Sequence, residues 1–284
     1  MDRRGFIKTA AGAVMAAGVT QQALARDQPE QRVKGEPFSF AVIADPHAAE
    51  KPKFEPDRLG NHVERFLRCT DHMAALPAPQ RPDFALVVGD IHIWELRKHL
   101  DRVSVPLHCI AGNHESGKKR KAELRDAFPD DFKVQGESAD YYSFTHKGAR
   151  FVGVCDAGGG GDHIGHLCSE DFGPRGQCEW LESELAQTEA VKVVFSHIPT
   201  HPQALDQNMY LALNDAIYFN DLVTLTKPAG LFFGHMHRAM QYTVGQTPVR
   251  VVQSCAWNFG DEPLGYDLIR VGPDGLVATT MLMS

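Results

Sequence analysis

The chain is poor in several features that would each have pointed to a function early. Its six cysteines, Cys69, Cys109, Cys155, Cys168, Cys178 and Cys255, nowhere fall into the C-x-x-C spacing of zinc ribbons or dithiol redox sites. No apolar run reaches the roughly 20 residues that a membrane-spanning helix needs. No period of solenoid length repeats along the 284 residues, and nothing reads as low complexity beyond Gly158 to Gly161. That glycine run lacks a following Lys-Ser/Thr, which excludes a Walker-type phosphate loop. Positive charge is not in excess either: 29 Lys and Arg against 36 Asp and Glu leave a net charge of −7. An acidic chain is not built to hold polyanions, so non-specific nucleic-acid binding and stable attachment to an anionic membrane are both disfavoured.

What is present begins with a distinctive N-terminus. Asp2-Arg3-Arg4-Gly5-Phe6-Ile7-Lys8 is a paired-arginine segment, followed by an Ala/Gly-rich, weakly apolar stretch and by Ala23-Leu24-Ala25, small residues at signal-peptidase spacing. The arrangement resembles a bacterial twin-arginine (Tat) signal over residues 1–25. It implies a periplasmic or secreted protein that meets the Tat translocon and is exported folded, with a cofactor loaded beforehand. Residues 26–37 read as a polar linker, and residues 38–284 as one domain. Removing residues 1–25 takes away three basic residues and one acidic residue, which moves the net charge from −7 to −9. Cys109 and Cys155 sit in apolar runs and read as buried small hydrophobes. Cys168 and Cys178 flank a loop and are candidates for a disulfide in an oxidising compartment.

Within the domain, short apolar runs at Phe38–Ala44, Phe84–Val88, Leu107–Ala111, Arg150–Asp156, Val191–Ser196 and Gly230–Phe233 read as buried strands. Helical spacing falls near residues 58–75, 91–100, 118–128, 177–187 and 212–225, and the C-terminal part holds strand candidates alone. Strands alternating with helices, then strands alone, predict a layered α/β or α+β protein with a mixed sheet. Five of the strands end directly in Asp, His or Asn. The carboxyl ends of strands in open α/β sheets are where sites are built.

Each polar string has an ordinary reading when taken alone. Asp45 and His47 are spaced i, i+2, so both side chains point one way from an extended backbone and can share a cation; alone they would read as an Asp-initiated turn with a surface histidine. Asp90 after Gly89 can bridge two cations or cap a helix. Gly112-Asn113-His114-Glu115 offers an amide oxygen and an imidazole, or a polar turn. His197 closes an apolar strand, where a hydrogen-bonded structural role is common. His235 and His237, after Gly234, repeat the i, i+2 spacing. Together they supply two carboxylates, four imidazoles and one amide, enough for two metals around one bridging carboxylate. Oxygen and nitrogen donors without thiolate suit Fe, Mn or Zn.

Asp45-x-His47, Gly89-Asp90, Gly112-Asn113-His114-Glu115, His197 and Gly234-His235-x-His237 stand in the order and spacing of the calcineurin-like metallophosphoesterases, and the chain resembles that family from residue 38 to about 270. The resemblance implies a four-layer sandwich of two mixed β-sheets flanked by helices. It implies two divalent or mixed-valence metal ions, one held by Asp45, His47, Asp90 and His237, the other by Asp90, Asn113, His197 and His235. It implies that His114 protonates the leaving group while a metal-bound hydroxide attacks a small phosphoester substrate in line. After Asp90 the chain reads Ile91-His92-Ile93-Trp94, unlike the Ser/Thr protein-phosphatase branch despite Glu115. The acidic partner that would orient His114 in that branch is absent at Ile93. Gly173 to Leu185 is more similar to cyclic-nucleotide and glycerophosphodiester phosphodiesterases, so diesters are slightly favoured over a phosphomonoesterase or a non-catalytic metal-binding module. His163, His166 and His201 are candidates for the substrate pocket. His92, His99 and His108 are read as structural, Trp94 and Trp180 as packing residues, and Lys118 to Lys121 as a solvated helix face.

Overall fold

The computed structural model describes residues 21–23, 35–52, 60–158, 162–167, 176–187, 191–205 and 207–283. The twin-arginine segment, most of the linker, Cys168 and Gly159 to Gly161 lie outside the described residues.

The apolar runs form two six-stranded mixed sheets. Residues Gln21–Ala23 form β1, Phe38–Ile43 β2, Ala85–Val88 β3 and Leu107–Ile110 β4. Lys133–Val134 (β5) and Glu137–Ser138 (β6) make a small separate hairpin. Then follow Tyr142–His146 (β7), Ala149–Gly153 (β8), Val191–Phe195 (β9), Gly230–Phe233 (β10), Met240–Val244 (β11), Thr247–Val251 (β12), Leu264–Gly272 (β13) and Gly275–Met283 (β14). The first sheet runs β1-β14-β13-β2-β3-β4 and the second β11-β12-β10-β9-β8-β7. β2, β3 and β4 are parallel, as are β8, β9, β10 and β12. β1 adds antiparallel to β14 with residues that the sequence reading places in the leader.

Parallel strands covered on both faces read as continuous apolar runs, and that is the pattern here. Alternate residues of the second sheet face opposite ways. Val152, Val154, Val194, Leu231 and Phe233 pack under helices Gln177–Ala186 (α4) and Leu213–Thr226 (α5). Phe151, Val193, Phe195 and Phe232 belong instead to the core shared with the first sheet, where Phe40 meets Phe151 at 5.1 Å and Phe232 at 5.8 Å. Helices His62–Ala75 (α1), Ile93–Leu96 (α2) and Lys118–Ala127 (α3) contribute Val63, Phe66, Ile93, Leu96 and Leu124 to that larger core. The result is the expected four-layer α/β arrangement.

Two local expectations shift. The helix expected over Ile91–Leu100 is only one α turn, followed by a 3₁₀ stretch at Arg97–Arg102 with no buried residue. A segment with no apolar stripe to bury gains little from regular α geometry. Lys121 of the basic tetrad is buried and pairs with Asp140, so that face is not wholly solvated.

Candidate metal centre

The carboxyl ends of the parallel strands of both sheets meet in one place. Asp45 and His47 follow β2, Asp90 follows β3, Asn113 and His114 follow β4, His197 follows β9, and His235 and His237 follow β10. The chain turns sharply at each end: Asp45, His47, Asp90, His92, His235 and His237 all take positive φ, between 39° and 68°. Backbone held in that region by side-chain-bearing residues stores strain that the surrounding structure must outweigh, a common mark of functional sites. Two glycines make the close approach possible. A Cβ on Gly89 (φ 85°) would lie 2.3 Å from His197 Nδ1, and one on Gly112 would lie 2.2 Å from Asp90 Oδ1.

The side chains gather into two linked groups. In the first, His47 Nε2 lies 3.1 Å from His237 Nε2 and 3.5 Å from Asp90 Oδ2, and His237 Nε2 lies 3.7 Å from Asp45 Oδ1. In the second, His197 Nε2 lies 3.0 Å from Asn113 Oδ1, 3.2 Å from His235 Nδ1 and 3.5 Å from Asp90 Oδ2. His235 Nδ1 is 3.1 Å from the same Asn113 oxygen. Asp90 Oδ2 is common to both groups.

Hydrogen bonds fix which nitrogens carry protons. His237 Nδ1 donates to the Trp257 carbonyl at 2.8 Å, and His197 Nδ1 donates to the Val88 carbonyl at 2.8 Å. In the neutral rings, Nε2 is then a bare lone pair. Those lone pairs face carboxylate and amide oxygens, which are themselves acceptors. Acceptors converging on acceptors repel one another unless positive charge lies among them, a proton on His197 or a metal ion, and the facing His47 and His237 nitrogens, 3.1 Å apart, make the donor set fit metal ions. Asp45, His47 and His237 each place a ligand atom within 4.8 Å of the others, and so do Asp45, Asp90 and His197.

Electrostatics agree. Burial pushes His235 down to about 3, helped by His197, and burial also holds His47 well below the usual imidazole range. Both are therefore neutral donors at physiological pH. Burial opposes charge on His197, but Asp90, Asp45 and Asp156 together drive it up to about 10. Burial also works to raise Asp90, yet His197, His47 and His114 outweigh it and keep that carboxylate well below its ordinary range. The field at the junction of the two groups calls for positive charge.

A cavity of about 660 Å³ opens onto this cluster, lined by His47, Asp90, Asn113, His114, Ser116, Gly117, His163, Met209, His235, His237, Trp257 and Phe259. His114 stands at its edge with 38% of its side chain exposed, and its backbone N–H donates to Asp90 Oδ1 at 2.9 Å. Of the three histidines expected in the substrate pocket, only His163 lines the cavity, with its ring 5.5 Å from that of His235. His166 is instead drawn to Asp215 at 3.5 Å, and His201 packs edge-on against Tyr210 and accepts from the Gln203 N–H.

Several site residues escaped the sequence reading. His92, read as structural, lies 3.2 Å from His47 and 3.4 Å from His114. Its signal was available: His92 follows Asp90 by two residues as His47 follows Asp45. Trp94, a packing residue as expected, lies partly buried against the core and also meets the site, with its ring stacked on His92 at 4.5 Å and the Arg120 guanidinium 3.8 Å from its centroid. Glu115 is fully buried and ties two site loops together, accepting from the Gly112 and His92 N–H groups at 3.0 Å each. Burial and the nearby Asp90 raise its carboxyl to about 8. Ser254 Oγ donates to the Asp45 carbonyl at 2.6 Å, and Trp257 supplies the carbonyl that orients His237. His99 and His108 stay outside the site, paired with Glu50 and Asp131.

Residues 38–239 match the model of the calcineurin-like phosphoesterases. Similar curated proteins include the serine/threonine-protein phosphatase CPPED1 of Pongo abelii and that of Homo sapiens, each 25% identical over 291 residues and covering 88% of this chain and 85% of the relative. Among solved structures, a dimetal phosphatase from Danio rerio superposes with a TM-score of 0.59 at 16% identity, over 89% of this chain and all of that one. GAP50 of Plasmodium, described as the anchor in the inner membrane complex, reaches 0.59 at 11% identity, over 87% of this chain and 84% of its own. At such identities the two structures speak for the fold. The family match covers well over half of the chain and encloses every residue of the two linked groups, so the protein belongs to the calcineurin-like phosphoesterases, metal-dependent hydrolases of phosphoric esters.

Proposed function

We propose that the protein is an exported phosphoesterase with two metal ions, Fe, Mn or Zn, that hydrolyses a small phosphoester and prefers diesters. The carrying observation is the pair of buried imidazole and carboxylate groups sharing Asp90 Oδ2. Asp45, His47, Asp90 and His237 would hold one metal, and Asp90, Asn113, His197 and His235 the other. When bound, such a pair supplies a nucleophile from water near neutral pH and draws charge off the phosphoryl oxygens.

The chain's own residues do the rest. His114 sits within reach of both the cavity and Asp90 and delivers a proton to the departing ester oxygen. Met209, Trp257 and Phe259 form an apolar wall that receives the ester substituent and keeps water from that side. The diester preference draws on the cavity lining, which holds imidazoles but no Lys or Arg among the described residues. A monoanionic diester needs less compensating charge there than a dianionic monoester. The name of the curated relatives favours the second reading, a phosphomonoesterase. A non-catalytic module is disfavoured by the complete ligand set beside His114.

Support for export comes from the Arg3-Arg4 segment and from Cys178, which is disulfide-bonded, as suits an oxidising compartment. Its expected partner, Cys168, lies outside the described residues, and no described helix is long and apolar enough to cross a membrane. The substrate is a small molecule, the Tat translocon is the partner in transit, and the net negative charge argues against nucleic-acid or stable membrane binding.

The test is a metal analysis of protein matured in the cytoplasm, followed by paired assays on bis-p-nitrophenyl phosphate and p-nitrophenyl phosphate. About two metals per chain and faster diester turnover are expected. Less than one metal per chain, or no turnover of either ester, would overturn the reading. Export is checked separately by replacing Arg3 and Arg4 with Lys and following the mature protein to the periplasm.

A further inference from the structure

His92 occupies a place where one side chain faces both halves of the proposed chemistry. Its Nε2 lies 3.2 Å from His47 Nδ1 and 3.4 Å from His114 Nδ1. The ring is not free to turn away. His92 takes a left-handed backbone conformation (φ 57°, ψ 51°), its N–H is held by Glu115 Oε1 at 3.0 Å, and its ring lies flat on Trp94, with planes 27° apart. Trp94 is itself backed by Arg120. The His47 and His92 rings meet nearly perpendicular, at 89°, with centroids 4.9 Å apart.

The donors and acceptors can be assigned by elimination, resting on the proposed roles of His47 and His114. If His47 gives Nε2 to a metal, its proton is on Nδ1, and that N–H needs an acceptor. Metal-ligating imidazoles almost always donate this second nitrogen to a carboxylate, a carbonyl or water. His237 uses the Trp257 carbonyl and His197 the Val88 carbonyl. For His47 the partner within reach among the described residues is His92 Nε2. His114, to hand a proton from Nε2 to a leaving group, also carries N–H at Nδ1, and that group faces the same nitrogen. Position 93, where an acid would have served, is an isoleucine buried in the core.

We infer that His92 is a positioning residue whose Nε2 lone pair is the shared acceptor for His47 and His114, standing in for the acidic side chain this chain lacks. One neutral lone pair serves two N–H donors, so the stronger its bond to His47, the weaker its hold on His114. The orientation of a metal ligand and that of the proton donor are thereby tied through one atom. A carboxylate, with two oxygens and several lone pairs, would serve both without that competition.

The test compares His92→Leu with His92→Gln, whose amide oxygen restores an acceptor. Two measurements are made: metal affinity by equilibrium dialysis, and kcat on an aryl ester with a good leaving group against an alkyl ester with a poor one. His92→Leu should weaken one of the two metals by about 10- to 100-fold. It should also lower kcat on the alkyl ester by more than on the aryl ester, because only the former needs the proton. In a His114→Ala background the added loss on the alkyl ester should vanish, and His92→Gln should recover much of both effects. Equal behaviour of His92→Leu and wild type would overturn the inference while leaving the phosphoesterase reading intact. Equal damage from Leu and Gln would reduce His92 to a packing partner of Trp94. Loss of a third metal equivalent would make the three-histidine cluster a metal site instead. A wild-type protein with no metal or turnover would remove both readings together.

Discussion

The two halves of the candidate metal centre are built differently. In the second group, His197 is fully buried and held by the Val88 carbonyl, while His235 faces the buried Asn113. In the first group, His237 is anchored by the Trp257 carbonyl, but His47 looks to another side chain, His92, and towards the cavity. Backbone acceptors move only if the fold moves, whereas a side-chain acceptor can be altered alone. His47 is therefore the ligand whose orientation one side-chain substitution can alter, and the first half is the one whose metal affinity should respond to a change at His92.

The largest effect should come from the atom the halves share. Asp90→Ala is expected to remove stoichiometric binding at both positions and to cost more activity than the roughly 10²–10³-fold typical of losing one electrostatic stabiliser. If metal analysis still found two tightly held ions, the two groups would not be joined as described. Next in size is His114→Ala, which should lower kcat on poor-leaving-group esters by about 10²–10⁴-fold. Metal content should stay unchanged, and a drop in it would place His114 among the ligands. The halves separate in a third experiment. His237→Ala and His235→Ala should each leave about one metal per chain. The ion lost from His237→Ala should be the one that also weakens in His92→Leu, and identical competition curves for His237→Ala and His235→Ala would erase the distinction. The smallest effect is a control in the core. Tyr142→Phe removes a hydroxyl that donates to the Cys109 carbonyl at 2.8 Å and should cost about 1 to 2 kcal/mol in urea unfolding, with both metals retained.

Much of this was legible because the signals were local and abrupt. Phe38 to Ala44 is apolar but for Ser39 and stops at Asp45, and Val191 to Phe195 is apolar but for Lys192 and leads to His197; both reflect strands covered on two faces with a site at their ends. The same runs supported a layered α/β reading with a mixed sheet, and the resemblance to the calcineurin-like family supplied the four layers. What stayed hidden depended on tertiary direction. His166 and His201 lie in sequence near residues that line the cavity, yet Asp215 and Tyr210 draw them elsewhere. His92 repeats after Asp90 the spacing of His47 after Asp45, but the left-handed backbone that turns its ring into the site has no propensity rule to announce it. Trp257 contributes through its carbonyl, a group every residue has. The hairpin at Lys133–Val134 and Glu137–Ser138 is too short and too polar to show a period.

The site also lies across a seam. Asp45 and Asp90 come from the first sheet, His197 and His235 from the second, and beside them Ala44 bridges to Ser254, whose hydroxyl bonds the Asp45 carbonyl. A ligand seated there binds both sheets at once and binds the unfolded chain far less. By mass action it would add about 4 kcal/mol to the folding free energy at a thousand times its dissociation constant. The two layers of the protein would then be riveted together by the same ions that serve its chemistry, and a chelator would lower this molecule's stability along with its activity.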